Sequence, residues 1–223
     1  MSPRSIGLDQ ELNDYVVAHS SPPGAVEQAL IDTTQQMPAA RMQIAPEQGE
    51  FMASMVELLR PSVIVEVGTF TGYSALAMAT ALERSDPGGD ARIICCDVSE
   101  EWTSIGRRHW DEAGVSHRID LRIAPAIDTL RSLPANLVID LVFVDADKGG
   151  YADYVDEILP RLSPTGAILV DNTLWSGAVV DASDTSADTE AIRAFNAKVA
   201  ADPRVRQVML PIGDGVTLIR HAH

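Results

Sequence analysis

Two continuous apolar runs, each ending abruptly in polar side chains, place the strongest constraint on the fold of this chain. Leu141–Val144 leads directly into Asp145. About 25 residues later, Ala167–Val170 leads into Asp171 and Asn172. Apolar runs separated by a helical pattern are typical of buried neighbouring strands in a parallel sheet. Such strands lie about 4.8 Å apart, so we expect the three polar side chains to converge at one carboxyl edge of the sheet.

From residue 62 onward, strand patterns alternate with helix patterns. The apolar periodicity predicts strands at 62–67, 91–97, 119–123, 139–145 and 165–171, and helices near 72–84, 99–113, 125–132, 149–162 and 187–201. Two further strands, Val205–Leu210 and Val216–Arg220, flank the turn Gly213–Gly215 and predict a hairpin. The segment 172–187, rich in Asp, Ser and Thr, is predicted to be the one long loop. Alternating β and α units imply a doubly wound α/β fold around a mostly parallel sheet of seven strands.

The first part of the chain has a different pattern, with helices but no strand. Amphipathic periodicity predicts helices at Leu8–Ala18 and Ala25–Met37. A third helix is predicted for Pro46–Leu59, because proline suits the first turn of a helix. We therefore divide the chain into an N-terminal helical extension, residues 1–45, and a main domain, residues 46–223.

The composition excludes several classes of partner. With 17 Lys and Arg against 32 Asp and Glu, the 223-residue chain has a formal net charge of -15. Such a surface repels nucleic acid and anionic membranes, so we expect neither as a partner. The N-terminus lacks a signal-peptide pattern, and no apolar stretch approaches about 18 residues. Cys95 and Cys96, the only cysteines, are strand neighbours that point to opposite faces, so we expect no disulfide between them. A cytoplasmic protein is expected.

A glycine-containing turn follows the first predicted strand and precedes a helix. Gly68 and Gly72 allow the turn and the close approach of a ligand to the backbone. Pyrophosphate sites prefer the spacing G-x-G-x-x-G, whereas this turn has G-x-x-x-G. The preceding acid, Glu66, would repel a pyrophosphate but suits a cationic ligand. The alternative is an ordinary strand-to-helix turn that binds nothing.

The second predicted strand ends in another acid, Asp97. This position is suited to accepting hydrogen bonds from a ribose diol. The alternative for Asp97 is a role in capping the next helix, although Ser99 is the better capping residue. Glu66, the glycine turn and Asp97 together predict an adenosyl ligand without phosphates. S-adenosylmethionine fits, because its sulfonium and ammonium groups are positively charged.

The polar residues that end the two apolar runs form a candidate metal site. Asp145, Asp171 and Asn172 offer two carboxylates and one amide oxygen, a donor set that suits Mg²⁺ and leaves positions for water and substrate. Lys148, three residues past Asp145, is a candidate proton acceptor. The alternatives are carboxylates that only cap the following segments and a lysine that only faces solvent.

With these motifs in this order, the chain resembles the class I methyltransferases, and more narrowly the cation-dependent O-methyltransferases that include caffeoyl-CoA and catechol O-methyltransferases. The resemblance extends from Met42–Gly49 to Leu210–Gly215. Its most specific segments are Gly72–Ser74, Asp145–Lys148 and Asp171–Trp175. It implies a Rossmann-like seven-stranded sheet with an antiparallel last strand. It also implies a homodimer, in which the N-terminal helices would supply lid or dimer contacts.

The resemblance also implies roles for individual residues. The implied contacts to S-adenosylmethionine are Glu66, Gly68, Thr69, Ser74, Asp97, Ala126 and Asp147, with a backbone contact from Ile44. The implied metal ligands are Asp145, Asp171 and Asn172, and the implied catalytic residues are Lys148, which abstracts the proton, and its neighbour Asp145. For Asp147 the alternative is a helix N-cap. Trp175 and Ser176 are candidate substrate contacts, and for Trp175 and Tyr151 packing in the core or an interface is an equal alternative.

Differences from the plant caffeoyl-CoA enzymes favour a small free phenol over an acyl-CoA thioester. Ser176 stands where those enzymes carry Asn, and the loop Gly177–Thr189 is shorter than theirs. The implied reaction is methyl transfer from S-adenosylmethionine to a hydroxyl of a small catechol-type phenol. Catechol oxygens lose protons more readily beside a divalent cation, and transfer then needs little beyond positioning of the two reactants.

Two alternatives from other functional classes stay open at this point. An NAD-binding oxidoreductase is disfavoured by Glu66 and by the missing third glycine. A non-catalytic, adenosyl-binding dimeric module is disfavoured by the intact set of Asp145, Asp171 and Asn172 together with Lys148.

Overall fold

The apolar runs of the sequence form a central sheet of seven strands in the computed structural model, which describes residues 7–222. The strands are β1 (Val63–Val67), β2 (Arg92–Asp97), β3 (Ile119–Ile123), β4 (Ile139–Val144), β5 (Leu162–Val170), β6 (Val205–Leu210) and β7 (Val216–His221). Their order in the sheet is β3-β2-β1-β4-β5-β7-β6. The first five strands pair in parallel, and β7 is antiparallel to both of its neighbours. The predicted doubly wound sheet with an antiparallel last strand is confirmed.

Eight α-helices of the described residues cover this sheet. They are α1 (Gln10–Ala18), α2 (Ala25–Gln35), α3 (Pro46–Leu59), α4 (Tyr73–Ser85), α5 (Glu100–Glu112), α6 (Ala126–Ser132), α7 (Tyr151–Ile158) and α8 (Ala187–Ala201). Short 3₁₀ helices lie at Ala40–Met42, Ser116–Arg118, Lys148–Gly150, Leu159–Arg161 and Trp175–Val180. Within residues 7–222, no helix is long and apolar enough to cross a membrane.

Alternating side chains of the strands build two cores, one on each face of the sheet. In β1, Ile64 packs into the core beneath α2, α3 and α4, whereas Val63 and Val65 pack into the core beneath α6, α7 and α8. Leu30 and Ile31 of α2 belong to the first core and are nearly fully buried. Each such side chain contributes about 1.5–3 kcal/mol by leaving water, which docks α2 on the sheet domain. The functional division of the chain at residue 45 stays a prediction.

Two predicted elements differ from the structure. The helix predicted for 149–162 is α-helical only over Tyr151–Ile158, because flexible Gly149 and Gly150 precede it and Pro160 follows it. The predicted long loop at 172–187 contains the 3₁₀ segment Trp175–Val180. The glycines that precede α7 and the 3₁₀ segment Trp175–Val180 both lie beside the carboxyl edge of the sheet, whereas Pro160 lies at the opposite edge.

The register of the central strands aligns their carboxyl ends. Val144 of β4 pairs with Val67 of β1 on one side and with Val170 of β5 on the other. The residues that follow these three valines therefore emerge side by side. The next residues are Gly68, Asp145 and Asp171, and this places both acids at one edge, as the two apolar runs predicted.

Candidate functional site

A cavity of about 1030 Å³ opens at this carboxyl edge. Thirteen predicted site residues line it: Ile44, Gly68, Thr69, Ser74, Asp97, Ala126, Asp145, Asp147, Lys148, Asp171, Asn172, Trp175 and Ser176. Glu66 lies fully buried behind this wall. Pockets for small ligands hold about 300–1,000 Å³, so this cavity lies at the upper end of that range.

The turn after β1 is held in shape by Asp97. One carboxylate oxygen, Oδ2, accepts hydrogen bonds from the backbone N–H groups of Thr69 (2.9 Å) and Phe70 (2.8 Å). The other oxygen accepts from the N–H of Ser99 at 2.7 Å. Ser99 itself is the N-cap of α5, so the capping role considered for Asp97 belongs to Ser99. The strand β2 therefore fixes the glycine turn while Asp97 still borders the cavity.

Gly68 is required by the packing of the turn. Its φ is 90°, a left-handed conformation that side chains rarely adopt. A Cβ at this position would lie 2.1 Å from the backbone oxygen of Asp145. The absence of a side chain thus lets the turn after β1 approach the end of β4, which carries the candidate metal ligand.

Glu66 is a buried acid behind the glycine turn, and one of its two carboxylate oxygens has no hydrogen-bond partner among the described residues. Its Oε1 accepts a hydrogen bond from the Ser74 hydroxyl at 2.6 Å. Among the described residues, Glu66 Oε2 and the buried Thr69 Oγ1 have no hydrogen-bond partner. Burial raises the pKa of Glu66 to about 7, although the Ser74 hydrogen bond partly offsets this effect. A buried carboxyl with a free oxygen suits a ligand that brings a positive charge, as the ammonium group of S-adenosylmethionine does.

The ammonium group of Lys148 lies at the end of the cavity where Asp145 and Asn172 meet. Its Nζ donates to Asp145 Oδ1 at 3.0 Å, to Asn172 Oδ1 at 2.6 Å and to the Tyr151 hydroxyl at 2.6 Å. It also lies 4.9 Å from the ring centroid of Tyr151 and 5.6 Å from that of Trp175. Only 10% of the Lys148 side chain is exposed, so the alternative of a solvent-facing lysine is wrong.

Asp171 completes the set of oxygen donors. Its Oδ2 accepts from Gln48 Nε2 at 2.8 Å, and its Oδ1 accepts from the N–H of Asn172 at 2.6 Å. Burial and the neighbouring Asp145 raise the pKa of Asp171 to about 7. Burial also raises the pKa of Asp145, against the opposing effect of Lys148. Two buried carboxyls that repel each other are stabilised in their charged forms by a cation between them.

This chemistry fits a hard divalent cation. Within residues 7–222, no group of three His, Cys, Asp or Glu side chains comes together, so a site built from those residue types alone is not present there. The candidate donors are instead two carboxylates and the Asn172 amide oxygen. Asn172 has a φ of 56°, and its amide oxygen reaches the same ammonium group as Asp145. Oxygen donors of this kind, with no thiolate or imidazole, suit Mg²⁺.

Asp147 accepts a hydrogen bond from the Tyr154 hydroxyl at 2.5 Å. It precedes the short helix Lys148–Gly150, but its side chain makes no capping hydrogen bond there. Asp147 is therefore the N-cap residue by position, as the alternative predicted, but without a capping hydrogen bond from its side chain. The Asp147 side chain lines the cavity between the glycine turn and Lys148.

The cavity wall beside Lys148 is formed by an irregular segment after β5. Trp175, Ser176 and Gly177 have consecutive positive φ values of 48°, 50° and 83°. The backbone N–H of Ser176 donates to Asp214 Oδ1 at 2.5 Å, which ties this segment to the hairpin between β6 and β7. Trp175 is partly buried over Lys148, whereas Ser176 is exposed at the mouth of the cavity.

Four further residues belong to this site. The sequence alone assigned no role to three of them, and it predicted Tyr151 only as a candidate wall for an aromatic ring or as packing. They are Gln48 beside Asp171, the Tyr151 hydroxyl beside Lys148, Asp214 beside Ser176, and Trp102, which packs edge-to-face on Phe70 at 5.1 Å in the cavity wall. Tyr151 follows Lys148 by three residues, a helical spacing that could have indicated its contact. The other three come from elements distant in sequence and carry no local signal.

Comparison with known proteins agrees with this geometry. The profile of the O-methyltransferase family matches residues 18–222. The chain is 36% identical over 219 residues to a probable caffeoyl-CoA O-methyltransferase 1 of Dictyostelium discoideum, covering 96% of this chain and 93% of the relative. It is 33% identical over 213 residues to catechol O-methyltransferase domain-containing protein 1 of Mus musculus, covering 94% and 79%.

A solved structure gives the same result for the fold. The SAH-bound methyltransferase PaMTH1 of Podospora anserina superposes with a TM-score of 0.87 at 30% identity, and the alignment covers 100% of both chains. The predicted Rossmann-like methyltransferase fold and O-methyltransferase activity are confirmed, and the NAD-binding alternative is set aside. This chain belongs to the O-methyltransferase family.

Proposed function

We propose that this S-adenosylmethionine-dependent O-methyltransferase uses a divalent cation, Mg²⁺, to methylate a hydroxyl of a small catechol-type phenol. One observation carries the proposal. Two strand-end oxygens, Asp145 Oδ1 and Asn172 Oδ1, converge on a single positive charge, the Lys148 ammonium, beside the buried carboxyl of Asp171. This arrangement combines a cation site with a candidate proton acceptor.

The cosubstrate occupies the half of the cavity around the glycine turn. The free oxygens of Glu66 and Thr69 accept hydrogen bonds from its ammonium group, and Asp97 accepts from its ribose hydroxyls. The walls on either side are Ile44, Ala126 and Asp147, with Gly68 and Ser74 at the turn. The SAH-bound relative, which has the same fold over its whole length, supports this assignment.

The residues at the other half prepare the phenol. Asp145, Asp171 and Asn172 hold the cation, which when bound supplies positive charge that makes the substrate hydroxyl more acidic. To act as the acceptor, Lys148 must first lose its own proton to solvent, which a cation bound at Asp145 and Asn172 would favour. Its neutral Nζ then takes the proton from that hydroxyl, and the Tyr151 hydroxyl, 2.6 Å away, orients the amine. The phenolate oxygen then bonds to the methyl carbon as the carbon–sulfur bond breaks, and S-adenosylhomocysteine is the leaving group.

The shape and charge of the mouth favour a small free phenol. Trp175 provides a face for an aromatic ring, and Ser176 borders the opening. Asp184, Asp214 and Arg41 also line the cavity, and the two carboxylates outnumber the one guanidinium that could bind the phosphates of an acyl-CoA thioester. Because several relatives are named as caffeoyl-CoA enzymes, the thioester is the substrate to test against the free phenol.

The test is a methyl-transfer assay with labelled cosubstrate over a panel of catechols, flavonoids, hydroxycinnamates and caffeoyl-CoA. We expect turnover of a catechol, abolition by EDTA, and recovery on addition of Mg²⁺. Full activity in metal-free buffer would refute the metal-dependent mechanism. No transfer to any member of the panel would refute the small phenol as the substrate.

A pair of variants separates the role of Lys148 from its structural effects. We expect Lys148→Ala to lower kcat by about 10²–10⁴-fold with little change in the Kd for S-adenosylhomocysteine measured by calorimetry. The control is Lys198→Ala, which removes an exposed lysine paired with Asp156 away from the cavity. Equal activity of both variants would remove Lys148 from the mechanism.

The homodimer, the cytoplasmic location and the absence of nucleic-acid or membrane partners stay predictions. The dimer is tested by sedimentation equilibrium at micromolar concentration, where a single species at about 24 kDa would contradict it.

A further inference from the structure

The segment that borders the phenol has an unfavourable backbone conformation and few apolar anchors of its own. Residues 175–184, here named the substrate loop, carry Trp175, Ser176, Ala178 and Asp184 into the wall of the cavity. Three consecutive residues of this loop have left-handed φ angles, and two of them are not glycine. Such conformations persist only where surrounding contacts hold them in place. The loop therefore needs an external constraint.

Asp214 holds Ser176, and Arg193 of α8 constrains the part of the loop that follows the three left-handed residues. Its guanidinium donates to the backbone oxygens of Val179 (Nε, 3.1 Å), Ala178 (Nη2, 2.8 Å) and Asp184 (Nη1, 2.8 Å), and also to that of Asp181. Nη1 additionally donates to Glu190 Oε1, one turn earlier in the same helix, at 2.5 Å. Only 24% of the Arg193 side chain is exposed. One side chain thus gathers four carbonyls from across the substrate loop.

We propose that Arg193 is a positioning residue that fixes the substrate loop and thereby sets the affinity for the phenol. The guanidinium is planar and presents its five N–H donors in a rigid fork, so it can hold several carbonyls in one arrangement. A lysine carries its three donors on one atom and cannot reproduce this spacing. The inference deepens the proposed function and rests on it, because the phenol is the substrate that this loop borders.

Arg193 lies near the phenol end of the cavity and away from the cosubstrate end. Other residues of α8 support the same end: Asn196 Nδ2 donates to Thr173 O at 2.8 Å, and the Phe195 ring packs edge-to-face on Tyr151 at 5.5 Å. The cosubstrate contacts Glu66 and Asp97 lie on β1 and β2, on the opposite side of β4 in the sheet. A change at Arg193 should therefore alter phenol affinity and leave cosubstrate affinity unchanged.

The experiment compares Arg193→Met and Arg193→Lys with wild type in the full chain. The control is Arg204→Met, which removes another multiply bonded arginine, paired with Asp156 and Asp202 outside the cavity. For each protein, KM and kcat for the best phenol are measured with saturating cosubstrate, and the Kd for S-adenosylhomocysteine is measured by calorimetry. Hydrogen exchange of a peptide spanning 175–184 reports the order of the loop.

For Arg193→Met we expect the KM for the phenol to rise at least about tenfold, with faster exchange in the loop and an S-adenosylhomocysteine Kd within about twofold of wild type. Arg193→Lys should raise the KM for the phenol nearly as much as Arg193→Met, and Arg204→Met should have the KM of wild type. An unchanged KM in Arg193→Met, or unchanged loop exchange, would overturn the inference while the proposed function stands. A wild type that methylates no phenol would overturn both.

Discussion

The buried carboxyl of Glu66 gives a pH dependence that one substitution should remove. In the folded protein its pKa rises from 4.5 to about 7, because burial penalises the charged form. Each pKa unit corresponds to about 1.4 kcal/mol, so Glu66 alone accounts for about 3 kcal/mol of pH-dependent stability. Glu66→Gln keeps the shape of the side chain and its acceptor for Ser74, but it cannot ionise.

The free energy of unfolding should fall as the pH rises, because the pKa of Glu66 is raised in the folded state. A carboxyl with a raised folded pKa binds its proton more tightly in the folded state, so its favourable contribution is fully present below about pH 4.5 and is lost as the pH rises through 7. We therefore expect the free energy of unfolding of cosubstrate-free wild type, relative to Glu66→Gln, to fall by about 3 kcal/mol across this window. Asp145 and Asp171 titrate in both proteins, and their effects cancel in the difference.

The measurement is urea unfolding of both proteins at half-unit steps between about pH 4.5 and 8, in EDTA and without cosubstrate. A companion calorimetric titration follows the binding of S-adenosylhomocysteine. Its ammonium requires ionised Glu66, so wild-type affinity should fall as the pH drops below about 7, while the affinity of Glu66→Gln should be weak and flat. Parallel stability curves for the two proteins over the whole range would refute the reasoning.

Two further substitutions test the packing of the fold, one beside the site and one away from it. Gly68→Ala should destabilise the fold by at least about 2 kcal/mol in urea unfolding and abolish cosubstrate binding, because its Cβ would meet Asp145 O at 2.1 Å in a left-handed backbone. The control Gly149→Ala meets no atom within 4 Å and should be near neutral, and equal effects would contradict the packing argument. Arg118→Met deletes a buried guanidinium that donates to Glu83 and to three backbone carbonyls. We expect this change to lower the free energy of unfolding by about 2–4 kcal/mol and to leave kcat of the folded enzyme unchanged. The control is Arg84→Met, which removes an exposed arginine and should lower the free energy of unfolding by less than about 1 kcal/mol. A similar loss in Arg118→Met and Arg84→Met would show that the burial of Arg118 is not the cause.

Regular elements were predictable where the local pattern was unambiguous. Pro46–Leu59 matches α3 residue for residue, because proline marks its first turn and apolar side chains recur at helical spacing along it. The helix predicted at 149–162 was too long, because the glycines and the proline at its ends outweigh the apolar periodicity. The irregular backbone at Trp175 and Ser176 was not predictable, since it depends on contacts with Asp214 and Arg193 from elsewhere in the chain.

By itself, the sequence determined that two apolar strands end in acids at one edge of a parallel sheet and that a glycine turn beside Glu66 faces the same edge. These features follow from the pattern of apolar and polar side chains and from the order of strands and helices along the chain. Both can be read from local stretches of sequence. Only the tertiary structure decided which groups touch there. Gln48 reaches Asp171 across 123 residues, and Lys148 meets Asn172 across 24 residues. Such contacts arise from the packing of whole helices on the sheet, so no stretch of sequence can specify them alone.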